Sequence, residues 1–492
     1  MAKVVSKSKY LNGRQCLKLL WYYYNQKKDI SPPDAATRSV MEEGKRVGEF
    51  AQKLFPDGIK VGWEYDPEEV NRKSLLAVQK RKPLFEAGFL YKEAYALADI
   101  LVPAEEDLWD LIEVKSSTEV KKEHISDVAF QKYTYTGAGL KIRKCYVMYI
   151  NRQYVRKGEI EADKLFNSKD ISEDVEALLP NIESELAEML KVIDEQEAPS
   201  VKIGSQCFNP HNCPLEDICW SFLPNDNIFL LNRLGRVGYD LLDRGILKIS
   251  DIPADVELNE RQLIQIDCLK TGKTHIVREN IKEFVDKLKY PLYFLDFETL
   301  APAIPIYDDT RPYEEVPFQY SLHIVREKGG KPEHHPYLAD GSVDPRPEVL
   351  RKLSEMLGES GTIVAYNAPY EINCLKRASD VYTDYKEWFE KTKDRFIDLL
   401  IPFKKYDYYN PAQEGSASMK SVLPALTGKN YNDLEIGNGN FARVEYMRAA
   451  FDKNTTKEEK DKIFHALEEY CELDTKGMIY ILDVLVHEAE KG

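Results

Sequence analysis

Two carboxylates, Asp296 and Glu298, stand two residues apart in the stretch YPLYFLDFETL, behind the apolar run Tyr293 to Leu295. In a strand, residues i and i+2 face the same side, so these acids converge. Burying unpaired carboxylates is costly. Either a cation is shared between them or the strand ends in solvated acids. Two later segments carry the same kind of chemistry. TIVAYNAPYE reads as a second apolar strand, Ile363 to Tyr366, breaking at Asn367 into a helix that carries Glu371. A long amphipathic pattern over roughly 456–489 holds Tyr470 and Asp474, i and i+4 on one helical face. Paired carboxylates on one strand face usually mean a shared cation, and these later acids change the odds in its favour. Asp398, in RFIDLLIPF, is either a further ligand or a structural acid. GSASMKSVLP offers Ser416, Ser418 and Lys420 as phosphate contacts, or a serine N-cap.

The first half repeats the logic with other parts. In ALADILVPAEEDLWDLIEVKSST, Asp99 opens an apolar strand, and Glu113 and Lys115 share one face at the end of the next. Two acids and a lysine in this order resemble the PD-(D/E)XK nuclease core, and that resemblance would have Asp99 and Glu113 hold Mg2+ or Mn2+ and Lys115 stabilise developing charge or orient water. Gln131 and Tyr135, in AFQKYTY, fall on one face of a following helix.

Eight cysteines divide into two sets. Cys145, Cys268, Cys374 and Cys471 sit in apolar surroundings and read as buried thiols. Cys16 stands far upstream of Cys207, Cys213 and Cys219 in CFNPHNCPLEDICW. Four thiolates suit a [4Fe-4S] cluster or a zinc ion. Zinc usually groups its cysteines as close pairs, which this spacing does not do, and free thiols are the third reading. His211 reads as a loop residue.

The order Asp-x-Glu, Asn with a following acid at a strand–helix junction, and Tyr-x-x-x-Asp on a late helix resembles the DnaQ-like DEDD 3'–5' exonucleases. That resemblance implies an RNase H-like fold over residues 287–492. It makes Asp296 the bridging ligand of two Mg2+ or Mn2+ ions, completed by Glu298, Glu371 and Asp474. Tyr470 would position or deprotonate the attacking water, and Asn367 and Lys420 would contact nucleic acid. Glu371 departs from the family's aspartate; it reaches one methylene further and still offers hard oxygen. The Asp99, Glu113-x-Lys115, Gln131, Tyr135 order resembles the RecB-like branch of the PD-(D/E)XK nucleases. With the cysteines, residues 1–222 resemble its iron-sulfur members, the AddB type and the CRISPR-associated exonucleases. Many relatives carry a metal-binding histidine where this chain has Gly48, and no histidine precedes His124. Glu43, Glu49 or Glu93 are the candidate substitutes.

These sites need elements to position them. The reading is α/β throughout: a PD-(D/E)XK restriction-endonuclease-like domain over 1–222, a short helical connector over 223–286, and the exonuclease domain over 287–492. The chain has 492 residues, 31% of them charged, and a formal net charge of -15. That excludes a bulk-basic nucleic-acid binder but not a local basic groove. No apolar stretch approaches the roughly 18–20 residues of a membrane helix, and the start lacks a signal-peptide apolar region. A cytoplasmic protein without a membrane partner is expected. The basic and aromatic stretch of Lys7, Lys9, Arg14 and Lys18 with Trp21 and Tyr22 to Tyr24 suits either a single strand or a packed amphipathic helix. The expected reaction is metal-dependent phosphodiester hydrolysis at two separate sites, on single-stranded DNA ends, in repair, recombination or defence by analogy. RNA is the alternative polymer. A catalytically inactive, iron-sulfur DNA-binding first half is the alternative architecture.

Overall fold

The computed structural model describes residues 3–62 and 66–491. Chain contacts group into two units, Met1–Phe222 with Pro302–Tyr313, and Leu223–Ala301 with Glu314–Gly492. Residues 223–286 thus fall within the second unit. Both units mix helices with sheets. Among the described residues, no helix is long and apolar enough to cross a membrane.

In the first unit, seven strands form one sheet: β1 (Val5–Ser6), β2 (Ile59–Lys60), β3 (Leu84–Tyr91), β4 (Ala94–Pro103), β5 (Leu108–Lys115), β6 (Lys141–Ile150) and β7 (Phe166–Asp170). The order is β2-β3-β4-β5-β6-β7, with β1 beside β4. β4 and β5 run antiparallel, β5 and β6 parallel. Asp99 lies in the middle of β4 rather than at its start. Glu113 and Lys115 end β5, as their alternation requires. The Lys122–Gly137 and Ser172–Asp194 helices cover one side through a core of Phe89, Leu111, Phe130, Val147 and Ile182. Lys7–Gln15 and Leu17–Asn25 form two short helices. There the aromatic run is largely packed: Trp21 is 3% exposed, its Nε1 donates to the Glu195 carbonyl, and the Lys9 ammonium lies 3.1 Å from the Tyr23 ring centre.

The second unit has a two-residue ladder, β8 (His275–Ile276) with the later Tyr408–Tyr409, and a five-stranded sheet. The sheet comprises β9 (Leu292–Leu300), β10 (Val316–Val325), β11 (Glu333–Leu338), β12 (Thr362–Ala365) and β13 (Phe396–Asp398), ordered β11-β10-β9-β12-β13. β10 is antiparallel to both neighbours, and β12 is parallel to β9 and β13. β9 is the central strand. Its near-continuous apolar sequence is that of a strand covered on both faces, and Leu292, Phe294, Leu295 and Leu300 are buried. The final helix, Lys457–Glu490, starts at a reciprocal Thr456–Glu459 capping box, one residue from the sequence expectation, and packs on β9 and β10.

Candidate functional site

Three elements of the second unit carry the acids into one place. β9 presents Asp296 and Glu298 on one face, and the final helix presents Asp474. One carboxylate oxygen from each lies within 4.8 Å of the others. Glu371 enters from the first turn of the Pro369–Val381 helix. The junction before it is built for a sharp turn. Asn367 takes a left-handed φ of 78°, which asparagine tolerates better than most residues. Its backbone N–H donates to Asp398 Oδ1 at 2.8 Å, and Leu400 N–H donates to the same oxygen at 3.0 Å. Asp398 therefore ties β13 to the β12–helix corner. Glu371 does not join the three-acid group, but it is 2% exposed and its Oε2 is buried without a hydrogen-bond partner.

The charges here are mutually unfavourable. Burial, then the Asp474, Glu371 and Glu298 charges, push Asp296 well above the usual carboxylate range. Burial and Asp474 push Glu298 up to about 8. Burial, Asp398 and Glu298 push Glu371 up to about 8. Burial raises Asp474 to about 6, held back by hydrogen bonds from Tyr431 and Tyr470 and by the Lys420 charge. Three converging acids and a fourth nearby, with one ammonium beside them, are a cation-deficient centre. The donor set is all oxygen, which suits a hard divalent cation.

Tyr470 and Lys420, both expected from the sequence, line this centre. Lys420 lies 5.7 Å and 5.6 Å from the Tyr431 and Tyr470 ring centres. Burial lowers its proton affinity while Asp474 and Glu298 oppose that. Burial and the Asp474 charge push the Tyr470 phenol well above the ordinary tyrosine value, so it is a proton-bearing donor. Ser418 precedes the Met419–Thr427 helix without capping it; Ser416 and Ser418 hydrogen-bond to each other. Sequence reasoning missed three neighbours. Tyr431 donates to Asp474 Oδ1 at 2.6 Å. The Cys471 thiol faces Asp296 Oδ2 at 3.9 Å. A Cβ at Gly439 would meet the Glu298 carboxylate at 3.4 Å, so the Gly439–Phe451 helix starts against that acid, where its N-terminal dipole is favourable. Cys471 stands beside Tyr470 in sequence; Tyr431 and Gly439 gave no local signal.

The first unit's polar centre is wired differently. Lys115 Nζ donates to Glu113 Oε1 and Asp127 Oδ2, both at 2.6 Å. Lys7 Nζ reaches Glu113 Oε1 at 2.8 Å and Asp127 Oδ1 at 3.4 Å. Gln131 Nε2 donates to Glu113 Oε2 at 2.7 Å and Asp127 Oδ1 at 2.9 Å, and Tyr135 donates to Gln131 Oε1 at 3.1 Å. Asp99 Oδ2 accepts the Val114 N–H at 2.8 Å. The structure thus joins Glu113, Lys115, Gln131 and Tyr135 in one network, with Asp99 close enough for its charge to act on Glu113. Burial and Asp99 push Glu113 up, but Lys115 and Lys7 outweigh them and leave it below its ordinary value. Lys7 and Asp127 were missed. Asp127, Gln131 and Tyr135 form an i, i+4, i+8 ladder on one helix, a signal present in the sequence. Among the other candidates, Glu43 is engaged elsewhere: its Oε1 accepts the Ala303 N–H at 2.7 Å.

Cys16, Cys207, Cys213 and Cys219 line one pocket between the N-terminal helices and the 201–220 loop. None of the four is in a disulfide. Burial, then the other three sulfurs, push Cys213 up to about 11. Tetrahedral zinc with Zn–S near 2.3 Å sets sulfurs about 3.8 Å apart. Among the described residues, no three of these sulfurs lie within 4.8 Å of one another; besides the acid centre, only His323, His334 and Glu472 do. His323 and His334 are stacked at 4.4 Å and bonded to Thr475 and Ser321, which reads as a buried hydrogen-bond network.

Comparison with known proteins adds a family match for a span that lies mostly in the second unit and includes residues 302–313 of the first. Residues 293–418 match the domain of unknown function DUF2779. This span includes Asp296, Glu298 and Glu371 and stops short of Asp474. The chain is similar to the uncharacterized protein UU173 of Ureaplasma parvum, 24% identical over 309 residues, covering 54% of this chain and 44% of that protein. It is also similar to the uncharacterized protein MG366 of Mycoplasma genitalium, 23% identical over 235 residues, covering 44% and 35%. The Mycoplasma pneumoniae homolog of MG366 is 23% identical over 266 residues, covering 49% and 39%. The matched region spans less than half the length of each of these relatives.

Proposed function

We propose that the second unit is a DnaQ-like, metal-dependent phosphodiesterase that trims nucleic-acid strands from the 3' end, single-stranded DNA being the favoured polymer and RNA the alternative. The observation that carries this is the buried, cation-deficient convergence of Asp296, Glu298 and Asp474, with Glu371 beside them. The strand order, with a central first strand, two antiparallel neighbours in series and two parallel strands beyond, supports an RNase H-like reading. Asp296, Glu298, Asp474 and Glu371 would hold Mg2+ or Mn2+, which would neutralise phosphate charge and lower the pKa of a bound water. The chain's own groups do the rest. Tyr470 orients the attacking water by hydrogen bonding. Lys420 compensates charge on the transferred phosphate. Asn367 presents its carboxamide to the strand.

In the first unit we read a RecB-like PD-(D/E)XK arrangement stapled by Cys16, Cys207, Cys213 and Cys219, with a [4Fe-4S] cluster preferred over zinc. Asp99 and Glu113 would hold the cation, and Lys115 would orient water. One observation favours the second reading, a binding module: both Glu113 carboxylate oxygens already accept hydrogen bonds from Lys7, Lys115 and Gln131.

End-labelled digestion of DNA and RNA of one sequence, in Mg2+ or Mn2+, tests both units. Asp296→Ala is expected to slow nucleotide release from the 3' end by about 100-fold or more, with unchanged circular dichroism. Undiminished release overturns the assignment. Lys115→Ala is expected to remove a separate activity and spare the Asp296-dependent one; no change on any end selects the binding module. Anaerobically purified protein is expected to be brown, and Cys213→Ser to bleach it. A colourless preparation with stoichiometric zinc overturns the cluster.

A further inference from the structure

Beside the acid centre, the second unit has an open cleft of about 540 Å3. Its walls include Arg233, Arg261 and Lys404, together with Asn367, Tyr406 and Ser418. The volume is within the range of sites that take nucleotide-sized ligands. Two of the cations come from residues 223–286, which the DEDD-type motifs do not touch.

Charge distinguishes this cleft. The chain carries 83 acidic against 68 basic residues, yet no acidic residue lines it among the described residues. None of Arg233, Arg261 and Lys404 has an ion-pair partner among the described residues. Arg261 lies 5.9 Å from the Tyr406 ring centre, a guanidinium over an aromatic face. Backbone strain distinguishes it too. Ten described non-glycine residues have positive φ. Three of them line this one cleft: Arg233 at 51°, Asn367 at 78° and Tyr406 at 67°. Such conformations cost energy and persist where the surroundings hold them, often at ligand sites. Two walls of the cleft belong to the segments that carry groups of the acid centre. Asn367 is four residues before Glu371, and Ser418 is two before Lys420. Tyr366 bridges these two walls by donating to the Ala417 carbonyl at 2.6 Å.

We infer that this cleft binds the phosphate backbone of a single-stranded nucleic acid, guiding the strand whose 3' end reaches the acid centre. Arg233, Arg261 and Lys404 contact successive phosphates, and Asn367 and Ser418 add hydrogen bonds at the inner end. The inference rests on the phosphodiesterase reading and adds the part of the substrate upstream of the reacting bond. It also gives residues 223–286 a role as one wall of the substrate track.

The test uses the full chain with Arg233, Arg261 and Lys404 all changed to Gln, and a charge-keeping control with Arg233→Lys, Arg261→Lys and Lys404→Arg. Fluorescence anisotropy with labelled single-stranded DNA and RNA 12-mers, in chelator to stop cleavage, reads binding. The Gln variant is expected to bind at least about tenfold more weakly. Its plot of log affinity against log salt is expected to flatten by about 2, three phosphates at roughly 0.7 each. The control keeps most of both. Hydrolysis of bis(p-nitrophenyl) phosphate, too short to reach the cleft, stays at the wild-type rate in the Gln variant. Unchanged affinity and slope in the Gln variant overturn the inference, as does equal loss in the control. The two readings fail separately. If Asp296→Ala abolishes trimming while the Gln variant trims long strands with wild-type KM, the cleft is wrong and the acid centre stands. If binding collapses in the Gln variant while Asp296→Ala keeps full activity, the cleft stands and the acid centre is wrong.

Discussion

The two polar centres use the same residue types and reach opposite electrostatic states. At the second, Asp296, Glu298 and Asp474 face one another with Lys420 as the nearby cation, and their proton affinities are driven up. At the first, Lys7 and Lys115 bridge Glu113 and Asp127, and Glu113 is driven down. A buried carboxylate needs compensation. The first centre finds it in two lysines of the chain, whereas the second has Lys420 alone and holds its carboxyl groups' proton affinities high. The lesson is that counting acids in a motif does not measure cation affinity; the resident cations have to be subtracted.

The largest effect expected from this contrast is on stability. Saturating Mn2+ should raise the unfolding transition of the second unit by about 3–4 kcal/mol, the linkage expected at roughly 100–1,000 times Kd. The first unit's transition should move much less, and Asp296→Ala should erase the second unit's gain. Calorimetry with equal shifts in both units would break the comparison. In chelator, the sign of the pH dependence follows from the raised carboxyl values. The folded second unit binds these protons more tightly than the unfolded chain does. That contribution is complete below the ordinary carboxyl range near pH 4 and is lost as pH rises through about 6 for Asp474 and about 8 for Glu298 and Glu371. Urea midpoints for this unit should therefore fall between pH 5 and 9 without metal and flatten with it. A rising midpoint would contradict the cation-deficient description.

Lys7→Met should produce a middling effect. It leaves Glu113 and Asp127 with one ammonium instead of two, at a cost of about 1–3 kcal/mol to the first unit. It should also make that unit newly responsive to Mn2+, bringing the first centre closer to the second. Denaturant titrations with and without metal would show this, and a variant that stays indifferent to metal would show that Lys7 is not what excludes it. The smallest effect should come from Tyr431→Phe. Losing its hydrogen bond to Asp474 costs about 1 kcal/mol, read as about fivefold weaker Mn2+ binding by calorimetric titration. No change would mean that Tyr470 alone holds that acid.

Regular geometry was legible in the sequence. The period of two placed Asp296 with Glu298 and Glu113 with Lys115, and the helical period placed Tyr470 over Asp474 and bounded the last helix within a residue. Contacts between distant segments were not. Lys7 lies 106 residues from Glu113 and Tyr431 lies 43 from Asp474, and no local pattern reports which loop will close over an acid. Lys7 shows the cost of that blindness: its basic, aromatic stretch left a nucleic-acid contact and a packed helix equally open, and neither reading placed its ammonium against Glu113 and Asp127. Asp127 is a different kind of omission, because the ladder it starts was visible on its helix.

The excursion of residues 302–313 bears on how the protein can be dissected. Ala303 is fully buried in a cluster with Val47, Phe85 and Ile100; Ile304 and Tyr313 pack against it, and the Tyr313 hydroxyl donates to the Ser116 carbonyl. A fragment ending at residue 222 would lack these groups and open that cluster to water. Such a fragment would report on an incomplete core, and its inactivity would say nothing about the Glu113–Lys115 centre. A sound minimal first unit has to carry 302–313 in trans, as a peptide, or through a grafted linker.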